Sequence, residues 1–227
     1  MCGRFVVAGE HRDLLGLFEI EIEGDNLPGP SWNIRPTDTV SVVIDSVRGD
    51  ELPVRRVAAA RWSLTPSFSP TRATKVPTFN ARSETAAEKP FFAASVRSKR
   101  AIIPASGYYE WKTVGDVKTP YYIHPPEGML AFAGLYSWWK DASLANDDPA
   151  RWVLTTTILT REAVGGLRDI HERTPVALPR TGGTTGSTRR SRPTSRSSMR
   201  RSRRPFPSAR HSNSMRLRRS GATIGPS

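Results

Sequence analysis

Residues 100–136 read RAIIPASGYYEWKTVGDVKTPYYIHPPEGMLAFAGLY. Four strand signals follow one another here: Arg100–Pro104, Gly107–Trp111, Pro120–His124 and Met129–Tyr136. Each is rich in β-branched or aromatic residues and is bounded by Pro, Gly or Ser. No helical stretch separates them. Parallel neighbours need a long crossover, usually a helix, whereas antiparallel neighbours need only a turn. The stretch therefore predicts an α+β class: a compact, β-rich single domain with antiparallel or mixed sheets and a few short helices.

The same reading extends outward. Trp152–Leu159 is a further strand, and Thr39–Asp45 and Arg55–Ser63 are a neighbouring pair. Asp25–Pro36 reads as loop, because Pro28, Gly29, Pro30 and Pro36 break it. Thr65–Thr78 is a long loop of the kind that often carries function. Short helices are expected at His11–Phe18, at Ser83–Glu88 (stopped by Pro90), at Phe91–Ser98, and at Arg161–Arg168 with Thr160 as cap. Val176–Leu178 closes the series as a short strand. No internal repeat is present.

The chain has 227 residues, enough for one sizeable core. Its single cysteine, Cys2, excludes an internal disulfide framework. The first residues lack a signal-peptide pattern, and no run is apolar enough to span a bilayer. The expectation is a cytoplasmic monomer with no membrane partner. The net charge of +13 is unevenly placed: residues 181–227 hold 12 Arg and no acid, leaving 22 basic and 21 acidic residues in 1–180. A basic total of this kind points to nucleic acid, but in the body any such binding must rest on a local patch.

Residues 1–180 are expected to form the domain and 181–227 an Arg/Ser-rich disordered tail. That tail is too poor in apolar residues to fold alone. It reads as a basic arm or, in preference, as the product of a frameshift. One base earlier, the codons of residues 181–188 can spell Asp-x-Trp-Asp-Asp-Trp-Leu-Asp, the start of an acidic amphipathic helix.

Four short segments gather chemistry. At Cys2-Gly-Arg4-Phe, loss of Met1 would put an α-amine and a thiol on one residue. Such a 1,2-aminothiol condenses with an aldehyde and closes to a thiazolidine; the bland alternative is a small buried hydrophobe. At Asn80-Ala-Arg82-Ser-Glu84, an amide and a guanidinium could hold a phosphate or a base edge, or could simply cap a helix. At Tyr108-Tyr109-Glu110-Trp111, a carboxylate stands between aromatics. Tyr109 and Trp111 would share one face of the strand and Glu110 the other, which is either solvent or an apolar site that raises its pKa. At His171-Glu-Arg173-Thr-Pro175, a histidine could move protons near neutral pH. His11 and His124 read as structural. No His or Cys pair has metal-ligand spacing, so no metal and no cofactor is expected.

In order along the chain, Met1-Cys2-Gly-Arg-Phe, Trp32-Asn-Ile-Arg-Pro36, Arg61-Trp-Ser-Leu-Thr-Pro66, Phe79-Asn-Ala-Arg-Ser-Glu84, Ile103-Pro-Ala-Ser-Gly-Tyr-Tyr-Glu-Trp111, Gly134-Leu-Tyr136, Ile158-Leu-Thr160 and Ile170-His-Glu-Arg-Thr-Pro175 resemble the SRAP family. These are the SOS response-associated peptidase-like proteins that process abasic sites in DNA. The resemblance covers essentially all of residues 1–180. It implies a β-rich domain with a groove for single-stranded DNA carrying abasic sites, and a DNA-damage role that brings a cytoplasmic protein to the nucleoid. Cys2 would be the nucleophile, Asn80 would place the sugar, and Glu110 and His171 would be the acid–base pair. Arg4 and Arg82 match DNA-backbone contacts. Thr160 lies near the same site, and Trp62 and Phe68 match a loop whose aromatics lie against bases. The alternatives are a thiol peptidase built on Cys2 and His171, and an inactive family member that lacks the Trp-rich helix and strand usual after the histidine motif.

Overall fold

The computed structural model describes residues 2–47, 52–179 and 216–219. Strand-rich sequence dominates it as expected. The strands are β1 (Arg4–Val7), β2 (Ile22–Glu23), β3 (Ser31–Ile34), β4 (Thr39–Ser46), β5 (Val54–Trp62), β6 (Asn80–Arg82), β7 (Arg100–Ala105), β8 (Gly107–Val114), β9 (Val117–His124), β10 (Leu130–Lys140), β11 (Trp152–Glu162), β12 (Arg173–Pro175) and β13 (Arg216–Arg219). Two helices, α1 (His11–Leu17) and α2 (Pro90–Ser98), accompany them.

β11, β10, β7, β4 and β5 are neighbours in that order, and β5 returns to β11 through parallel pairing of Thr155 with Arg61 and Thr156 with Trp62. The ring is therefore closed, which removes most of its free edges. A second sheet runs β13-β9-β8-β1-β3. Its inner face packs on the ring, joining Phe5, Tyr108 and Ile123 to Trp62, Ile103, Phe132 and Ile158 in one cluster. Edge-to-face aromatic pairs run through that core: Phe5–Trp62 at 4.9 Å, Trp62–Phe79 at 5.8 Å and Tyr108–Phe132 at 5.8 Å. Each such pair adds about 0.5–1.5 kcal/mol beyond the area it buries. At Gly134 on β10, a Cβ would come within 2.8 Å of the Thr157 carbonyl and collide with Ile103. Only glycine allows β7, β10 and β11 to approach this closely.

Several expected boundaries differ. The loop expected at Asp25–Pro36 contains β3, because Ser31–Ile34 borrows its ladder from β1 (Phe5 opposite Ile34, Val7 opposite Ser31). The helix expected at Ser83–Glu88 is a run of turns. Six residues cannot repay helix nucleation, and the Ser83 N–H is taken by the Thr160 carbonyl at 2.8 Å. Pro90 starts α2 at its first position instead of ending a helix, where its missing N–H costs nothing. The helix expected at Arg161–Arg168 is replaced. Arg161 and Glu162 continue β11 opposite Thr174 and Arg173, and a 3-10 turn follows at Gly165–Asp169. The Gly165-Gly166 pair disfavours an α-helix there. Thr160 therefore caps nothing and lies inside β11. The strand expected at Val176–Leu178 falls instead at Arg173–Pro175, with Ala177 making only a bridge to Phe132. The expectations for the tail lie outside the described residues, apart from 216–219, which form β13 on the edge of β9.

Candidate active site

Cys2 lies just ahead of β1 and is fully buried in the cluster between the two sheets. Its Sγ is 3.9 Å from the Arg4 carbonyl, a weak S–H contact. Burial pushes its thiol well above the ordinary cysteine range, and the Glu110 carboxylate adds to the effect. Cys2 and Glu110 are therefore electrostatic neighbours.

Asn80 begins β6, which lies parallel to β11 with Asn80 opposite Ile158. Its Nδ2 donates to the Cys2 carbonyl at 2.7 Å. A carbonyl only accepts, so this bond fixes which end of the amide is nitrogen. The other end, Oδ1, is buried and has no hydrogen-bond partner among the described residues. An orphan acceptor of this kind is costly to keep. Here it stands beside the residue that the sequence singles out.

Glu110 sits on β8 and is 4% exposed. The alternation of β8 turns Tyr108 and Glu110 inward and leaves Tyr109 and Trp111 half-exposed. The solvent-facing alternative for Glu110 is thus excluded. Burial raises its carboxyl above the usual range, and the positive charge of the amino terminus works against this.

His171 precedes β12. Its Nδ1 accepts the Arg173 N–H at 3.0 Å, so the neutral ring carries its proton on Nε2. Burial lowers its pKa, and the amino-terminal charge pushes the same way. His171 and Glu110 therefore both respond to the start of the chain. Arg173 anchors the segment through Glu84 and Thr160, and Tyr108 ties β8 to β12 by a 2.8 Å hydroxyl contact with Thr174.

The remaining expected contacts divide. Arg4 is half-buried, and its Nη1 donates to Asn33 Oδ1 at 2.7 Å. Arg82 is exposed at the end of β6. Phe68 is 64% exposed on the long loop and meets Phe91 edge-on. Trp62 differs: it is fully buried, and its Nε1 donates to the Phe79 carbonyl at 2.8 Å. Its ring is enclosed by the core and has no face for a base, because β5 aims it into the ring interior. Thr160 is also fully buried, with Oγ1 3.5 Å from the Ala81 carbonyl. It supports the site from within and offers no surface contact. Sequence reading missed the positioning roles of Asn33, Thr174 and the Arg173–Glu84 pair, since each is a long-range partnership. Among the described residues no His, Cys, Asp and Glu group is arranged to hold a metal ion, and no helix is long and apolar enough to cross a membrane.

A family model described as SOS response associated peptidase (SRAP) matches residues 1–202. The chain belongs to this family. Among its SRAP relatives, abasic site processing protein YoqW of Bacillus subtilis is 34% identical over 183 residues, covering 78% of this chain and 76% of the relative. Abasic site processing protein YedK of Escherichia coli is 33% identical over 182 residues, covering 78% and 75%. The SRAP fold recurs in the crystal structure of a protein from Bacteroides thetaiotaomicron, with a TM-score of 0.65 at 24% identity, covering 78% of this chain and 77% of that one.

Proposed function

We propose that this chain processes abasic sites in single-stranded DNA by covalent capture at Cys2 once Met1 has been hydrolysed away. The relatives' names support abasic-site processing. The observation that carries the reading is the Asn80 amide, with Nδ2 holding the Cys2 carbonyl and the buried Oδ1 left to accept a hydrogen bond. An α-amine on Cys2 or a sugar hydroxyl is the donor this arrangement fits.

An abasic deoxyribose opens part of the time to a C1′ aldehyde. The Cys2 amine adds to it, and a proton moves from nitrogen to oxygen to give a carbinolamine. Loss of water leaves an imine. The thiol sulfur then bonds to the imine carbon and its proton passes to nitrogen, which closes a thiazolidine. The net change is one water released. Glu110, its carboxyl raised above the usual range by burial, delivers the proton that lets hydroxide leave as water. Neutral His171, with its proton on Nε2, relays protons at the same centre. Arg4 and Arg82 neutralise phosphates, and Phe68 offers a face to a base. Imine formation also acidifies C2′, so weak strand cleavage by β-elimination accompanies capture. A thiol protease needs a thiolate, and the raised pKa of the buried Cys2 sulfur favours the thiol.

Intact-mass spectrometry after incubation with an abasic oligonucleotide tests this. The expected species lacks Met1 and gains the oligonucleotide minus one water. Cys2→Ala should form no stable adduct; an undiminished adduct would reject the proposal.

A further inference from the structure

The five-stranded sheet has a second face, turned away from the core. By strand alternation Arg4 and Lys118 stand on it, and Glu110, the one acid in these strands, points inward. No carboxylate from these strands therefore stands on the outer face. Arg4, Tyr109 and Tyr122 lie opposite one another on β1, β8 and β9. Directly opposed residues share a face. The Tyr109 and Tyr122 rings are 5.1 Å apart with a 41° tilt, and Tyr122 and His124 stack at 5.1 Å and 20°. His124 Nδ1 is 2.8 Å from the Pro125 carbonyl, so it donates, which holds the imidazole in the stack. Tyr122 lies over Gly107, where a Cβ would meet its ring at 2.5 Å; the glycine clears the sheet for the aromatic. Burial pushes the Tyr122 hydroxyl up to about 12, so the phenol is neutral and repels no phosphate.

We propose that the Tyr109–Tyr122–His124 ladder is a stacking platform for unpaired bases of the DNA strand that flank the abasic nucleotide held at Cys2. The proposal rests on the capture reading and extends its substrate from one sugar to a stretch of single strand. Neighbouring strands are about 4.8 Å apart, so the ladder begins one strand from Arg4, within reach of the adjoining nucleotides. Stacked rings beside cations, on a sheet face free of acids, fit nucleobases and phosphates together. Addition of a partner's β-strand at this end is disfavoured, because β13 already pairs with the β9 edge.

The test is a cycle that removes the base and the ring separately. Capture rates are measured at subsaturating concentration for abasic 15-mers in which the nucleotides 5′ and 3′ of the lesion are, in turn, normal or base-free spacers. On one side of the lesion, removing the flanking base should slow the wild type by about fivefold or more, the equivalent of one lost stack. The same change should have little effect in Tyr122→Ser. An equal base effect in both proteins overturns the platform. Should Tyr122→Ser not fold, Tyr122→Leu covers Gly107 without an aromatic face and gives the same comparison. If the wild type forms no adduct at all, the capture reading fails by itself. Quenching of 2-aminopurine in a lesion-free oligonucleotide then judges the platform: quenching weakened in the variant supports it, and quenching equal in both rejects it.

Discussion

Arg173 grips Glu84 with two parallel hydrogen bonds, Nη1 to Oε1 at 3.0 Å and Nη2 to Oε2 at 2.8 Å. The same Nη2 reaches the Thr160 carbonyl at 2.8 Å. One buried guanidinium thus joins the turn after Asn80, the end of β11 and the strand after His171. The paired geometry of the fork makes it stronger and more directional than a point charge. Arg173→Lys would keep the charge and lose the fork. It should destabilise the fold by about 2 kcal/mol, read as a shift in urea midpoint, and should slow adduct formation per folded molecule.

The same pair predicts acid sensitivity. The Arg173 contact holds Glu84 down to about 2. Its folded pKa is below the unfolded value of about 4.3, so its contribution is complete above the unfolded value. It is lost as pH falls from there through about 2. The Glu84 side chain is 46% exposed, so solvent screens the pair and the effect should be modest. Thermal midpoints between pH 5 and pH 2 should fall less steeply in Glu84→Gln than in the wild type.

His171 sets a second pH dependence. Burial lowers its pKa below the ordinary imidazole value of about 6.5. It therefore stays neutral at pH 7 and gains its proton only at more acidic pH. Protonation would leave Nδ1 facing the Arg173 N–H with no lone pair to accept it. Adduct formation should drop along an acidic limb centred below about 6.5, and His171→Gln should flatten that limb in a rate profile from pH 5 to 8.

The Cys2 thiol should be a poor nucleophile while Met1 is attached. It is the only cysteine, so alkylation reports on it alone. In protein that retains Met1, iodoacetamide at pH 8 should label the folded chain at least about tenfold more slowly than the urea-unfolded chain, whose thiol has the ordinary pKa of about 8.5. Equal rates by mass spectrometry would contradict the burial seen here.

Trp62 and Phe68 should separate cleanly. Trp62→Ala empties the centre of the core and should cost about 3–5 kcal/mol. Phe68→Ala, on an exposed loop, should change stability by less than about 1 kcal/mol while weakening single-stranded DNA binding. Urea denaturation and fluorescence anisotropy measure the two effects.

Local pattern alone gave the strand succession through residues 100–136 and set Glu110 on the face opposite Tyr109 and Trp111, because strand alternation is a property of neighbouring residues; that this face is the buried one was decided by the packing of the two sheets. The ordered motifs likewise named Cys2, Asn80, Glu110 and His171. Other features were set at a distance. β3 exists because β1 lies beside it, and β11 overrides a helical pattern at Arg161 because β12 supplies the ladder. Trp62 looked like a base-stacking residue from its motif, yet ring closure between β5 and β11 sends it into the core. The stacked Tyr122 and His124 were equally hidden, since His124 alone looks structural.

By itself, then, the sequence determined the β-rich class and the family, both of which are written in residue type and order. Only the tertiary structure decided which groups meet residue 2 and in what protonation state. Those depend on burial and on partners 29 to 108 positions away, such as Asn33 on Arg4, Asn80 on Cys2 and Glu110 beside the same cysteine. Desolvation and hydrogen bonding act through space, and no local pattern encodes them.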